Sequence, residues 1–527
     1  MVCRLARSIR PLTFVALAVS CTAFAQKDCG ALTHLELPEA SVVSAETLAA
    51  TASMPGYCQV KGVATPTSDS KINFEVWMPI ETWNQVLVQL GNGGLAGSIS
   101  YPPMMQQVAR RYAVTATDDG HTGAGTDGVW AVGHPEKVID FAYRAVHETS
   151  VLSKIIVAAF YGHAPQYAYF NGCSEGGREA LMEAQRFPDD FNGILAGSAA
   201  GAWVGIMEGF AWNAQALLKD PASYIPVNKR PMIEAAALKA CGTQDGVKDP
   251  FIKNPMDCHF DPTVLLCKNG DADTCLTAAQ LTALKKIYSG AVDPKTGKRL
   301  YPGYEPGAEA EPGPPGISYA SYIYGSAPPL TLDYIFSSAF LGSAVFDDPK
   351  YSSLTFDFDK GAQLTQQKVG ELDATNADLK AFKAHGGKML QYHGWYDGSP
   401  APMTAVDYYR SVEGAMGGLS RTQDFYRLYM VPGMMHCGLG PGPNSFGNLT
   451  DNSGAMDPEY NIFSALRSWV EDRRKPDTLL ATKFTDDNGS KPALMTRPLC
   501  PFPKQAMWDG KGDTAKASSF VCRVANK

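Results

Sequence analysis

Beyond its first 25 residues, this chain of 527 residues lacks any run of about 18 apolar residues, the length that a membrane-spanning helix requires. It also lacks a stripe of basic residues, and its formal net charge is −7, so we expect no nucleic acid partner. No C-x-x-C pair with zinc spacing occurs. With 45% hydrophobic and 19% charged residues, the chain can bury a large core and form more than one domain.

The start of the sequence has the pattern of a secretory signal peptide. Three arginines precede a short apolar run at 12–19, and Ala23-Phe24-Ala25 offers a cleavage site after Ala25. The apolar run is too short for a membrane anchor, and we rank a lipoprotein signal at Cys21 lower than simple export. We therefore expect residues 1–25 to be removed and the protein to be secreted or periplasmic, without a membrane partner.

Ten cysteines follow the predicted signal peptide, and an even number in an exported protein predicts a disulfide framework. Although sequence alone does not fix the connectivity, pairing of neighbours leaves no free thiol. The pairs would be Cys29–Cys58, Cys241–Cys258, Cys267–Cys275, Cys500–Cys522 and the long-range pair Cys173–Cys437.

Ser174 lies in a G-x-S-x-G motif between a predicted strand at 166–170 and a predicted helix at 178–186. This context is typical of a nucleophile elbow, in which a sharp turn presents the serine at the end of a sheet. The alternative is an ordinary strand-to-helix turn whose serine caps the helix. We favour a catalytic serine.

A catalytic serine requires a general base, and the base requires an acid that fixes its tautomer. Asp397 and His436 each follow a predicted strand, and the chain order Ser, Asp, His is that of α/β-hydrolases. His121 also follows a strand, but it precedes Ser174 and has no adjacent cysteine.

The cysteines next to the serine and the histidine bear on the same assignment. If Ser174 and His436 share a hydrogen bond, their neighbours Cys173 and Cys437 must lie within disulfide distance. A covalent bond and a catalytic pair would then occupy one place in the fold.

The oxyanion of an acyl-transfer intermediate requires two N–H donors. One would be the N–H of Glu175, the residue after the nucleophile, and the other would come from Gly93 or Gly94 in a glycine-rich loop after an early strand. The alternative for this loop is a flexible turn without a role.

Strand and helix patterns alternate in two regions, about 72–198 and 388–433, which predicts an α/β fold with a mainly parallel sheet flanked by helices. The intervening region is rich in proline, glycine and clustered cysteines, and it looks like an inserted lid. We therefore expect an α/β-hydrolase domain in two parts, 26–200 and 386–527, with a large lid domain at 201–385.

Six motifs in this order resemble the tannase and feruloyl esterase family of α/β-hydrolases, which includes mono(2-hydroxyethyl) terephthalate hydrolases. They are GNGGLAG at Gly91, TDDGHTG at Thr117, GHPEKVIDFAYRAVH ending at His147, NGCSEGGREALMEAQRFPDDFNGILAG at Asn171, YHGWYDG at Tyr392 and PGMMHCG at Pro432. The resemblance implies a triad of Ser174, Asp397 and His436. It also implies the Cys173–Cys437 disulfide.

The resemblance further implies a structural calcium ion in the lid, held by Asp245, Asp249 and the carbonyls of Val247 and Phe251. Gly242 stands where a further aspartate is expected, and the loss of one carboxylate should weaken binding. Catalysis itself should need no cofactor, because acyl transfer by a serine requires none.

The expected function is a serine carboxylic ester hydrolase that cleaves phenolic acid esters, such as feruloyl or galloyl esters, some of them linked to plant polymers. Aromatic lid residues suit a flat acyl group: Tyr319, Tyr322, Tyr324, Tyr334 and Phe336. The stretch 301–349 has no Lys or Arg to bind the free carboxylate of a terephthalate monoester. That substrate remains an alternative, as do an acyltransferase and a catalytically silent binding protein on the same scaffold.

Overall fold

The computed structural model describes residues 28–448, 454–487 and 489–524. The expected signal peptide, residues 1–25, lies outside these ranges and stays a prediction. None of the helices in the described ranges combines the length and the apolar character needed to cross a membrane.

Within the described residues, nine strands form one central sheet. In chain order they are β1 (Ala40–Leu48), β2 (Tyr57–Ala64), β3 (Ile72–Pro79), β4 (Val86–Leu90), β5 (Ala113–Thr117), β6 (Tyr167–Cys173), β7 (Gly193–Gly197), β8 (Lys388–Gly394) and β9 (Tyr426–Val431). Their spatial order is β1-β2-β3-β5-β4-β6-β7-β8-β9. The pairs among β1, β2, β3 and β5 are antiparallel, and all pairs from β5 to β9 are parallel. The predicted mainly parallel sheet is confirmed, whereas β1 and β2 were not predicted.

Helices cover both faces of the sheet and fill the segment between β7 and β8. They are α1 (Tyr101–Ala109), α2 (Pro135–Ile139), α3 (Ala145–Tyr161), α4 (Glu175–Arg186), α5 (Trp203–Leu218), α6 (Arg230–Cys241), α7 (Ala278–Ser289), α8 (Tyr319–Ile323), α9 (Leu332–Phe340), α10 (Lys360–Val369), α11 (Lys380–His385), α12 (Met403–Met416), α13 (Leu419–Thr422) and α14 (Ile462–Glu471). A π-helical turn at Asp140–Arg144 joins α2 to α3, so the two form one long helical segment from Pro135 to Tyr161.

Strand β4 shows why the apolar runs of this sequence become buried parallel strands. Val86 and Val88 pack on the face covered by α1 and α14, and Leu87 packs on the face covered by α3. Because successive side chains point to opposite faces, a strand covered on both sides must be apolar throughout.

The segment 201–385 contributes no strand to the central sheet of the described structure. Its helices lie over the carboxyl ends of the parallel strands, where the backbone N–H of His436 donates to the carbonyl of Ile317 at 3.2 Å. After β9 the chain forms α14 and two hairpins, which pair β10 (Leu479–Phe484) with β11 (Ala493–Leu499) and β12 (Lys504–Trp508) with β13 (Phe520–Val524).

Five disulfides connect these parts, and all five follow the predicted pairing. Four are local, with sequence separations of 8 to 29 residues, and the fifth joins Cys173 to Cys437 across 264 residues. The predicted disulfide framework is therefore confirmed.

Candidate active site

Ser174 lies at the sharp turn between β6 and α4, with a φ of 67° and a ψ of −121°. Non-glycine residues rarely adopt such a positive φ, and the strain persists only where the surroundings impose it. Gly172 and Gly177 permit the turn, because an added Cβ at either would lie 2.3 Å from a backbone oxygen. The backbone thus has the geometry of a nucleophile elbow.

The Cys173–Cys437 bond brings the nucleophile segment and the histidine segment together, with Cα atoms 6.0 Å apart. Tyr322 contacts both segments: its ring packs edge-on against His436, with ring centroids 5.5 Å apart, and lines the same pocket as Ser174.

No hydrogen bond between Ser174 and His436 forms in the described structure. Catalytic hydrogen bonds of this kind often tighten only when substrate binds.

Asp397 lies beside His436 in a fully buried position. His436 Nδ1 is 3.0 Å from Asp397 Oδ1, and the N–H of Ser399 donates to the same oxygen at 2.8 Å. Burial would raise the pKa of Asp397, but its interactions with His436 and His393 outweigh burial and lower that pKa to about 2. Asp397 is therefore an ionised acceptor, so His436 Nδ1 must carry the proton and Nε2 is free to act as a base.

His393 is a second imidazole on the same carboxylate, and this contact was not predicted from the sequence. Its Nε2 lies 3.3 Å from Asp397 Oδ2 and 3.1 Å from the carbonyl of Pro400. From the sequence alone, a histidine inside a buried strand is interpreted as an ordinary core residue. Here it holds the side of Asp397 that faces away from Ser399.

The competing histidine, His121, is used elsewhere. Its ring stacks on Trp130 at 4.0 Å, and its Nε2 lies 2.9 Å from the carbonyl of Leu95. Burial lowers the pKa of His121 to about 4, so it is a neutral core residue.

Two of the three predicted oxyanion residues lie at the serine. Glu175 and Gly94 line the same pocket as Ser174. Glu175 is the first residue of α4, so its N–H has no intrahelical acceptor. Gly94 has a φ of 62°, and a Cβ there would lie 2.4 Å from the carbonyl of Gly125, which explains why glycine is needed. Gly93 does not line the pocket, so the geometry favours Gly94 as the second donor.

A cluster of buried carboxyl groups contacts the glycine-rich loop at 91–94, called here the oxyanion loop. Glu179 accepts a hydrogen bond from the N–H of Asn92 at 3.0 Å, and oxygens of Glu179, Asp119 and Glu175 lie within 4.8 Å of one another. The guanidinium of Arg178 pairs with Glu175. Burial and the neighbouring carboxylates raise the pKa values of Asp119 and Glu179 well above the usual range. With one cation for three acids, these shifts favour a protonated carboxyl group at Asp119 or Glu179.

The pocket at Ser174 is lined mainly by apolar side chains. Of the five aromatic lid residues named from the sequence, Tyr322 and Phe336 reach it. Tyr319 and Tyr324 are buried in the lid core, and Tyr334 contacts Ser352. The sequence did not single out the wall that α5 and the turn before it supply: Ala200, Trp203, Ile206, Met207 and Phe210.

The residues of the expected calcium loop are already paired with cations of the chain. Asp245 Oδ2 is 2.7 Å from Lys253 Nζ, and Asp249 Oδ1 is 2.8 Å from Arg497 Nη2. Calcium takes six to eight oxygen ligands, and a divalent cation here would lie beside a buried ammonium group. These donors do not fit the expected ion.

The sheet, with a strained serine at a strand end near a buried Asp397–His436 pair, is that of an α/β-hydrolase. The family model "Tannase and feruloyl esterase" matches residues 58–523, so the chain belongs to the tannase and feruloyl esterase family. It is a carboxylic ester hydrolase.

Individual relatives agree with this membership. An uncharacterised esterase of Xanthomonas campestris pv. campestris is 38% identical over 96% of this chain and 92% of its own length. A probable feruloyl esterase B-2 of Aspergillus terreus is 30% identical over 89% of this chain and 86% of its own. The crystal structure of feruloyl esterase B from Aspergillus oryzae superposes with a TM-score of 0.85 at 26% identity, covering 94% of this chain and all of that one.

Loss of the Cys173–Cys437 bond should impair catalysis more than folding. In a Cys173→Ser, Cys437→Ser double variant, His436 is no longer held near Ser174, and we expect kcat to fall roughly 100-fold because small displacements of reacting groups are costly. Ester hydrolysis and thermal unfolding would be measured together. A Cys500→Ser, Cys522→Ser variant is the control, since that bond lies in the C-terminal hairpin. Equal kcat for the two double variants would contradict a positioning role.

Glu179 should support the oxyanion loop as a neutral group. Glu179→Gln retains an acceptor for the N–H of Asn92 and a donor for Asp119, so we expect nearly unchanged kcat. Glu179→Ala removes both, and kcat should fall roughly 100-fold with little change in KM. Steady-state kinetics on one ester would test this. If Gln is as harmful as Ala, a protonated Glu179 is ruled out.

Proposed function

We propose that this protein cleaves esters of aromatic, phenolic acids, such as feruloyl or galloyl esters, through a serine acyl-enzyme intermediate. The observation that carries this proposal is the aromatic and apolar pocket into which Ser174 opens. Flat aromatic acyl groups fit walls of this kind. Relatives described as feruloyl esterases support the same substrate class.

The proposed reaction gives a role to Ser174, Asp397 and His436 and to the two N–H donors of the pocket. Ser174 Oγ attacks the ester carbonyl while His436 Nε2 takes its proton, and Asp397 stabilises the resulting imidazolium. The N–H groups of Glu175 and Gly94 receive the developing oxyanion. His436 then returns the proton to the leaving alcohol, and water attacks the acyl-enzyme by the same route to release the acid.

The charge of the pocket supports an acyl group without a free carboxylate. Among its described lining residues there is no Lys or Arg, and the one acid, Glu175, is paired with Arg178. A terephthalate monoester would bring a carboxylate into this apolar site without a cation to receive it, and burying an unpaired charge is costly.

Export is the proposed setting for this activity. Five disulfides in the described structure suit an oxidising compartment. The arginines and apolar run of the first 25 residues support secretion or passage to the periplasm.

The role of Ser174 is tested with Ser174→Ala on methyl ferulate. We expect kcat to fall about 10⁴-fold or more, since the variant cannot form the acyl-enzyme. Ser399→Ala is the matched control, because Ser399 lines the same pocket but contributes its backbone N–H to Asp397. Equal turnover by Ser174→Ala and the parent would reject the mechanism.

The substrate class is tested by comparing kcat/KM for methyl ferulate, methyl gallate and mono(2-hydroxyethyl) terephthalate. We expect both phenolic esters to be favoured by at least about tenfold, since the pocket has no cation for the terephthalate carboxylate. The opposite ranking in purified enzyme would reject the proposed acyl specificity while leaving the serine mechanism intact.

A further inference from the structure

The loop 242–254 follows α6 in the lid and connects three parts of the molecule. The Cys241–Cys258 disulfide encloses it. The N–H of Trp508, in the last hairpin, donates to Asp245 at 2.8 Å, and the N–H of Ile252 donates to the hydroxyl of Tyr396 at 2.9 Å. Tyr396 precedes Asp397 in the chain, so this loop supports the segment that carries the candidate acid.

Two buried ion pairs hold the loop in this position. The side chains of Lys253 and Asp245 are 8% and 4% exposed, and those of Arg497 and Asp249 are 6% and 8% exposed. Each carboxylate therefore has its own cation at hydrogen-bond distance, away from solvent. Removing one partner of such a pair leaves a buried unpaired charge, which strongly destabilises a protein.

The expected set leaves at most about four oxygens for a calcium ion, which takes six to eight: Asp245 Oδ1, Asp249 Oδ2 and the carbonyls of Val247 and Phe251. Asp245 Oδ1 accepts no hydrogen bond within the described residues and is the one carboxylate oxygen of Asp245 left for a cation. At Gly242 a third carboxylate has no place, because an added Cβ would lie 2.6 Å from the carbonyl of Leu238. The carbonyl of Gly242 itself accepts from the N–H of Asp249 at 3.2 Å.

We propose that Lys253 and Arg497 replace a divalent cation in this loop, and that the protein folds and works without calcium. The ammonium of Lys253 neutralises Asp245, the guanidinium of Arg497 neutralises Asp249, and the second pair also ties the lid to β11. The side chains of Lys253 and Arg497, rather than a bound ion, thereby hold the loop in contact with Tyr396.

The first test uses the unmodified protein. Calcium content is measured by mass spectrometry on the protein purified without chelator and again after dialysis against EDTA, and Tm is recorded with EDTA and with millimolar CaCl₂. We expect no stoichiometric calcium and the same Tm in both buffers. About one calcium per chain, or a Tm that falls in EDTA and recovers with calcium, would overturn the proposal.

The second test removes one cation. Lys253→Gln is compared with Lys248→Gln, which removes an exposed lysine of the same loop. We expect Tm to fall by roughly 5 °C in Lys253→Gln and to change little in Lys248→Gln. Equal Tm values would overturn the role of Lys253. If Lys253→Gln does not fold, the calcium measurements on the unmodified protein still decide the proposal, and neither readout depends on the ester that is cleaved.

Discussion

The Cys173–Cys437 disulfide is the constraint on which the candidate site depends. It joins the residue before the nucleophile to the residue after the base, and it closes a loop of 264 residues that includes the whole lid. Because disulfide geometry allows only a narrow range of Cα separations, the two segments cannot move apart. A second contact acts in the same direction, since the N–H of Cys437 donates to Ser198 Oγ at 3.3 Å.

The surroundings of the buried carboxyl groups on two sides of the elbow shift their pKa values in opposite directions. Asp397 receives hydrogen bonds from His436 and from the N–H of Ser399, and it stays ionised despite complete burial. Asp119 and Glu179 share one nearby guanidinium with a third acid, and burial raises their pKa values. The surroundings of Asp397 thus favour a negative charge beside His436. The surroundings of Asp119 and Glu179 favour neutral carboxyl groups next to the N–H of Asn92.

The sequence predicted those parts of the fold that depend on local pattern. The strand and the helix predicted on either side of Ser174 are present as β6 and α4, close to their expected bounds, because a short apolar run marks the strand and helix-forming residues follow the glycines. Strand β1 was missed because most of its residues are at least partly exposed and give no strong apolar signal. Strand β2 is mostly buried, but Gln59, Lys61 and Gly62 interrupt its apolar residues. His393 was missed for another reason: its contact with Asp397 depends on how the loop after β8 folds back, and no local pattern encodes that bend.

The loop 242–254 shows why a sequence motif alone does not predict whether a metal ion is bound. Local sequence gives the number of carboxylates, but the partner of each buried carboxylate is chosen by the tertiary structure. Arg497 lies 248 positions after Asp249, yet it supplies the opposing charge at 2.8 Å. The same rule applies at Asp397, whose partner His436 comes from a different strand end. At Asp249 the guanidinium of Arg497 neutralises the buried acid, whereas at Asp397 hydrogen bonds from His436 and the N–H of Ser399 stabilise the charge. In both places the stabilising group comes from another part of the chain, and the Arg497–Asp249 pair also joins segment 201–385 to β11.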